Sequence, residues 1–214
     1  MSGKITATIL ASFFLANFTL AQTGPEIWAT WRADSFVPPF YQGKQLPTRN
    51  TNVEVRFELV DGSRAANLSQ TEIRWYLNEK LAQKGNGLKT FSYQVGRNST
   101  RDLIRINIPN YAGGELNQFL DLPIRAPEVV LTGIFPTFLA SPYFFNIKNI
   151  NEVSFEWLIG GISSKNTGEG YIIVVDDSNL PTGSTWNGAV TVNAKSRLSI
   201  LEQASALLNF SYIK

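Results

Sequence analysis

The stretches 71-TEIRWYLNEK-80 and 152-EVSFEWLIGG-161 decide the fold of this chain. In each of them one tryptophan, Trp75 or Trp157, stands among apolar residues that alternate with polar ones. Alternation with a period of two is typical of a β-strand that buries one face. Because the two stretches are alike and lie in different halves of the chain, the sequence predicts two similar modules, each with a tryptophan-bearing strand.

The same alternation recurs in both halves of the chain. In the first half it predicts strands at residues 53–60, 73–77, 91–95, 104–108 and 120–124. In the second half it predicts strands at residues 129–131, 143–147, 153–159, 171–175, 186–194 and 204–213. Residues 197–203 have a helix-forming composition and are predicted to make one helical turn. No stretch supports a long amphipathic helix, so the predicted fold class is all-β.

Residues 1–21 have the layout of a signal peptide. Lys4 precedes an apolar run, and the small residues Thr19 and Ala21 mark a cleavage site. The alternative is an uncleaved membrane anchor, but this run is shorter and more polar than the about 20 apolar residues that span a bilayer. We therefore expect a mature chain without a transmembrane segment that lies outside the cytoplasm, either secreted, periplasmic or at the cell surface.

Pro127 marks the predicted boundary between the two modules. We predict a first β-sandwich domain in residues 22–125 and a second in residues 127–214, each of a usual size for a sandwich. The linker of residues 126–128 is very short, so the two domains are expected to sit nearly end to end with limited freedom.

The segment of residues 26–47 is rich in aromatic residues and proline. Its first residues are predicted to form strand A of the first sandwich. Pro38 and Pro39 have no backbone N–H to give to a strand ladder. The chain after Phe36 is therefore expected to run along a sheet edge or over the end of a sandwich.

The composition excludes several kinds of chemistry. The sequence contains no histidine and no cysteine, which removes Ser-His-Asp and Cys-His catalysis, His- and Cys-ligated metals, iron–sulfur clusters and disulfides. The net charge of +2 is too small to predict nucleic acid or an anionic membrane as a partner. We expect no enzyme activity, no catalytic residue and no cofactor, and an exported chain without disulfides indicates a bacterial source.

Asp176 and Asp177, followed by Ser178 and Asn179, form the one concentrated group of oxygen ligands in the sequence. Ca²⁺ requires six to eight oxygen ligands and often binds at loops between strands. The alternative is an ordinary turn in which the side chains bond to their own backbone. Asp176 and Asp177 are the candidates for calcium, and no other metal site is predicted.

Exposed aromatic residues on a rigid β-surface can anchor a protein partner or stack on a sugar ring. Strand parity predicts that Trp75 and Trp157 face the core, while Arg74 and Tyr76 face outward. Trp28 and Trp31 have opposite parity, so one of the two is expected to be exposed. The predicted binding surface consists of Trp31, Arg74 and Tyr76.

The order of the sequence motifs resembles that of a known group of proteins. An opening W-x-A-D-S-F-V-P-P-F-Y-x-G-K segment from Trp31 is followed by I-x-W-Y-L-N at Ile73, I-x-I-P-N-Y at Ile106 and a proline-linked second module. This layout resembles the tandem Ig-like or PKD-like β-sandwich modules of bacterial secreted and surface proteins. The segment after Trp75 or Trp157 departs from the W-D-F-G-D-G type of PKD domains. The resemblance implies adhesion, spacing or scaffolding, and it implies no catalytic residue.

The sequence therefore predicts a non-catalytic, secreted or envelope-associated protein that acts by binding, adhesion or structure. Its expected partner is a protein of the cell envelope or surface, or a glycan. Three alternatives stay open at this point. One is a carbohydrate-binding module that uses a flat row of exposed aromatics, and another is a subunit of a surface filament whose open strand edges are completed by a neighbour. The third is an enzyme of carboxylate type, which would need two acidic residues from different strands to converge in a cleft.

Overall fold

The computed structural model describes residues 24–160, 162–163, 170–176, 178, 182–183 and 185–214. The predicted leader, residues 1–21, lies outside this part of the chain. The described residues form β-strands joined by turns, with one short 3₁₀ turn at Ile150–Glu152. This confirms the all-β fold class. None of the helical segments among the described residues has the length and apolar character needed to cross a membrane.

The first sandwich consists of eight strands that form two antiparallel sheets. The strands are β1 Glu26–Ala33, β2 Asn52–Asp61, β3 Arg64–Ala65, β4 Glu72–Leu77, β5 Lys80–Asn86, β6 Thr90–Gln94, β7 Arg101–Tyr111 and β8 Gly114–Pro123. In one sheet β2 pairs with β1, β6 and the two-residue β3, and the other sheet has the order β5-β4-β7-β8.

The second sandwich repeats this pattern of pairing. The strands are β9 Glu128–Ile134, β10 Thr137–Tyr143, β11 Val153–Ile159, β12 Ile162–Ser163, β13 Ile172–Val174, β14 Thr185–Ser196 and β15 Gln203–Ile213. A three-stranded sheet has the order β13-β10-β9, and a four-stranded sheet has the order β12-β11-β14-β15. The tryptophan-bearing strands β4 and β11 occupy the same place in their respective sheets, so the predicted repetition is confirmed at the level of topology.

Each sandwich has its own apolar core, and one tryptophan lies in each. Trp75 is fully buried and packs against Phe57 and Phe91, with ring centroids 5.6 and 5.4 Å away. Trp157 is fully buried in the second core. The prediction that both tryptophans face inward is therefore confirmed, and its reason is that alternate residues of a strand point to opposite faces of the sheet.

Two local predictions were wrong. Residues 197–203 form no helical turn: the amide of Arg197 donates to the carbonyl of Glu152, and the amide of Glu202 closes a turn on Ser199. No helical turn forms because nucleation of a helix is unfavourable in a short segment, and the backbone groups of this segment have other hydrogen-bond partners. The strand predicted at residues 143–147 does not form. The strand found there, β10, spans Thr137–Tyr143, was not predicted, and ends where Phe144 adopts a left-handed φ of 58°.

Residues 34–51, which we call the strap, connect β1 to β2 and contain no regular strand. The strap leaves the first sandwich, and Phe36 forms an isolated antiparallel bridge with Phe145 and packs against the second core. The chain after Phe36 therefore passes along the second sandwich rather than staying with the first. The domain limits 22–125 and 127–214 stay a prediction, with Phe36 as a residue that crosses from one sandwich to the other.

Candidate functional site

The outer face of the four-stranded sheet β5-β4-β7-β8 carries the side chains that the sequence singled out on β4. Ile73 and Trp75 point into the core, so the intervening Arg74 and the following Tyr76 lie on the opposite, solvent-facing side. On the neighbouring strand β7, the buried residues Ile104 and Ile106 place Arg105 on that same outer side.

Four residues in matching register form a row across this outer face. Leu81 of β5 pairs with Tyr76, Tyr76 pairs with Arg105, and Arg105 pairs with Phe119 of β8. Leu81 is 50% exposed and Phe119 is 52% exposed. Neighbouring strands lie about 5 Å apart, so the row is about 15 Å long. We call Leu81, Tyr76, Arg105 and Phe119 the outer-face cluster.

The outer-face cluster is centred on a contact between a cation and an aromatic ring. The guanidinium of Arg105 lies 3.7 Å from the centroid of the Tyr76 ring. The same guanidinium is 3.5 Å from a carboxylate oxygen of Glu79. A cation–π contact at an exposed site contributes about 0.5–1 kcal/mol, so it favours a position of the Arg105 guanidinium over the Tyr76 ring.

Arg74 lies beside the cluster in a different electrostatic setting. Its Nε donates to Oε1 of Glu72 at 2.6 Å, and this hydrogen bond raises the pKa of Arg74 above its usual value. Arg74 is therefore a permanent cation, two residues from Tyr76 on the same strand face. Because its guanidinium already forms an ion pair with the Glu72 carboxylate, Arg74 belongs to the polar border of the cluster.

Trp31 lies on the other sheet of the first sandwich, away from Arg74 and Tyr76. It is partly buried against the first core, and Lys44 of the strap covers its ring at 3.7 Å from the centroid. Burial lowers the pKa of Lys44 from its usual value. Trp28 is the exposed member of the pair, with 65% of its surface accessible. The structure thus brings Arg74 and Tyr76 together and places Trp31 elsewhere.

One of the two calcium candidates, Asp176, lies just after β13. The Asp176 carboxylate accepts a hydrogen bond from the amide of Ser178 at 2.9 Å, and hydrogen bonding to Ser178 lowers the pKa of Asp176. This is the geometry of a side chain that closes its own turn. Asp177 lies outside the described residues. Among the residues that are described, no group of three or more acidic side chains is gathered as a metal site.

Sequence reasoning did not select Arg105 or Phe119. The alternation of the sequence did indicate that both side chains face outward, because Arg105 stands between the inward-facing Ile104 and Ile106, and Phe119 precedes the inward-facing Leu120. Parity assigns a residue to a face, but it does not say which residues of distant strands stand side by side. The register between β7 and β8 was needed to put Phe119 next to Arg105.

Sequence reasoning also missed a buried polar site. The Asp102 carboxylate is 2% exposed and accepts hydrogen bonds from Asn78 at 3.0 Å, from Ser99 at 2.6 Å and from Tyr93 at 3.1 Å. Burial, followed by the Asp102 charge, raises the pKa of Tyr93 far above its usual value. Every member is hydrogen-bonded and the carboxylate is closed off from solvent, so this network fixes loops rather than offering a reactive group.

A concave surface lies between the strap and the second sandwich. This groove has a volume of about 380 Å³ and is mainly apolar. Its walls are formed on one side by strap residues such as Pro38 and Phe40, and on the other side by Leu139, Ile150 and Tyr171. Phe40 is 64% exposed at its rim.

Comparisons with known proteins assign no family to this chain. No protein-family profile and no curated protein match it. Among solved structures, the chain is similar to fibronectin(III)-like modules of Clostridium thermocellum CbhA, with 11% identity, a TM-score of 0.30, and 86% of this chain and 94% of that chain covered. The central fibronectin-III array of RIM-binding protein has 13% identity and a TM-score of 0.29, with 86% and 69% covered.

A third solved structure, a glycosyl hydrolase family 2 member from Bacteroides cellulosilyticus, has 12% identity and a TM-score of 0.27. The match covers 88% of this chain and 28% of that chain. At TM-scores this low, none of these likenesses assigns the chain to a family. The class of protein is therefore defined by its own structure, which is a tandem of Ig-like β-sandwiches.

Proposed function

We propose that this is a non-catalytic protein of the cell envelope or the extracellular space, and that its outer-face cluster binds a protein of the cell surface. The observation that carries this proposal is the row of four register-matched residues on one open sheet face. Tyrosine, other aromatic residues and arginine are enriched at the centres of protein interfaces. The row is bordered by charged residues such as Arg74 and Glu72, which fit the polar rim of an interface.

The contact between Arg105 and Tyr76 favours a protein over a glycan as the ligand. A sugar ring stacks on the open face of an aromatic side chain, and the Arg105 guanidinium covers one face of Tyr76 at 3.7 Å. Phe119 is then the member of the cluster whose aromatic ring is exposed and uncovered, and a single ring offers little surface for stacking against a sugar. A planar guanidinium beside exposed apolar side chains fits a protein surface with a carboxylate and an apolar contact.

Export from the cytoplasm rests on the leader in residues 1–21. The expected result of expression with this leader is a protein outside the cytoplasm whose first residue is Gln22, as read by N-terminal sequencing. Recovery of the uncleaved chain from the membrane fraction would support the anchor alternative, and recovery from the cytoplasm would contradict export.

Binding can be tested with residues 22–214 as bait on intact envelopes of the producing cells. The variant Y76S/F119S removes both rings of the cluster. A hot spot is worth about 2 kcal/mol, so the apparent affinity should fall about 30-fold. The matched control is W28S, which removes an exposed aromatic from the other sheet and should bind as the wild type does.

The outcomes separate the candidate ligands. Equal binding by Y76S/F119S and W28S would contradict a role for the outer-face cluster. Binding that survives protease treatment of the envelopes and is competed by soluble glycans would contradict a protein partner and favour the carbohydrate-binding alternative.

A further inference from the structure

Phe36 is bonded to the second sandwich through its backbone as well as its side chain. Its amide donates to the carbonyl of Phe145, and its carbonyl accepts from the amide of Phe144, both at 2.7 Å. Its ring packs against the core that contains Trp157. A residue that precedes β2 of the first sandwich in the sequence therefore supplies part of the second core.

The segment that receives Phe36 is held in an unusual conformation. Phe144 has a φ of 58°, a left-handed value that a bulky residue adopts only where its surroundings impose it. It is 6% exposed, and the ring of Tyr41 from the strap packs edge-on against Phe144 and Tyr143, with centroids 6.1 and 5.5 Å away. The strap thus encloses the turn that ends β10.

The strap is also bonded to the first sandwich, because the amide of Asn50 donates to the carbonyl of Val95 at 3.1 Å. The Ser35 hydroxyl donates to the carbonyl of Leu46 at 2.7 Å and closes the strap on itself. Two further hydrogen bonds of the strap lie where the two sandwiches meet. The amide of Arg125 donates to Pro47 at 2.8 Å, and the side chain of Asn146 donates to the carbonyl of Asn50 at 3.3 Å.

We propose that the strap locks the two sandwiches in one fixed relative orientation and makes the second sandwich depend on Phe36. Connections longer than about 12–15 residues without secondary structure are uncommon and usually have a role of their own. Without the strap, the short linker would be the main tie between the sandwiches, and relative motion would be the default. The strap contains no residue of the outer-face cluster.

The orientation can be measured with spin labels, because the chain has no cysteine of its own. Ser92→Cys and Thr132→Cys place one label at an exposed position on each sandwich. The expected result for the otherwise unchanged chain is a single narrow distance distribution. The variant F36S should broaden it, and the control F40S, which removes an exposed phenylalanine of the same strap, should leave it unchanged.

Unfolding provides the second readout. The unchanged chain and F40S should unfold in one thermal transition. In F36S the second sandwich should unfold in a separate transition, with a midpoint temperature about 5 °C or more below that of the unchanged chain. Hydrogen exchange should show faster exchange in peptides of β10 in F36S, because the bridge to Phe144 and Phe145 is weakened.

The lock is contradicted if the unchanged chain already gives a broad distribution, or if F36S matches F40S in both distance and unfolding. If F36S does not fold, the variant Y41S tests the lock instead. Y41S leaves Phe36 packed against the second core and removes the ring contacts of Tyr41 to Tyr143 and Phe144. A partly broadened distribution in Y41S supports the lock, and one as narrow as in the unchanged chain overturns it.

Discussion

Trp75 and Trp157 make the same hydrogen bond, each to a backbone carbonyl thirteen residues further along the chain. The indole of Trp75 donates to Leu88 at 2.8 Å, and that of Trp157 donates to Gly170 at 3.1 Å. In both cases the acceptor lies in the connection that leads to the strand on the opposite sheet, β6 or β13. The two tryptophans therefore join the two sheets of their sandwich by packing and by a directed bond.

Replacing either tryptophan by phenylalanine should destabilise the protein by a similar amount. W75F and W157F each lose the indole bond and part of a buried ring, and we expect each to lower the free energy of unfolding by about 2 kcal/mol or more. Urea denaturation followed by circular dichroism measures the loss. The control W28F changes an exposed ring and should stay within about 0.5 kcal/mol of the wild type. A loss confined to one of the two core variants would contradict the structural equivalence.

Asp102 should contribute far more to stability than its neighbour Asp121. D102A removes a buried carboxylate that accepts three hydrogen bonds, from Asn78, Ser99 and Tyr93, and we expect a loss of about 3 kcal/mol. The control D121A removes an exposed carboxylate that pairs with Arg101, and surface pairs contribute little. Equal denaturation midpoints for the two variants would contradict the buried network.

Glu202 should make stability depend on pH. It is 3% exposed, and one carboxylate oxygen accepts from the amide of Asn146 at 3.0 Å, while the other has no hydrogen-bond partner among the described residues. Burial raises the pKa of Glu202 above its usual value of 4.5. For a raised pKa, the stabilising contribution is complete below the unfolded-state pKa and is lost as the pH rises through the folded-state pKa.

The wild type should therefore gain stability relative to E202Q as the pH falls from 7 towards about 4.5, because the glutamine side chain of this variant does not ionise. The measurement is urea denaturation of both proteins at several pH values. E156Q changes an exposed carboxylate and serves as the control, with a curve parallel to that of the wild type. Parallel curves for the wild type and E202Q would show that Glu202 titrates normally in the folded protein.

Local patterns were sufficient to predict the class of fold and the inward direction of Trp75 and Trp157. Each of these features depends on the period of a single strand. Strand β5 was not predicted, because its KLAQKGN sequence lies at an edge, is exposed on both sides and has no alternation. The lysines of β5 instead suit an edge that must avoid pairing with another chain.

Contacts between distant parts of the chain could not be predicted. The bridge between Phe36 and Phe145 depends on how two sandwiches meet, and the row that joins Tyr76 to Phe119 depends on the register of three strands. A single sequence contains the parity of each residue but not these pairings. This is why the predicted surface contained Arg74 and Tyr76 and also included Trp31, which lies on the other sheet.

The turn between β4 and β5 gives a prediction in which stability should rise. Asn78 and Glu79 have φ values of 50° and 64° and form a two-residue hairpin turn, for which Asn-Gly is the favoured sequence. E79G removes the side-chain penalty of the left-handed conformation, worth about 1 kcal/mol, and loses the 3.5 Å ion pair with Arg105, worth about 0.5 kcal/mol.

We therefore expect E79G to be about 0.5 kcal/mol more stable than the wild type in urea denaturation, with a larger gain at high salt, where the ion pair contributes less. E79A is the matched control, because it loses the ion pair while keeping the backbone penalty, and it should be slightly less stable than the wild type. An E79G variant no more stable than E79A would mean that the left-handed turn carries no strain. In both variants Arg105 loses its carboxylate neighbour and keeps its contact with the Tyr76 ring, so a partner that presents a carboxylate to Arg105 should bind both variants more tightly than the wild type.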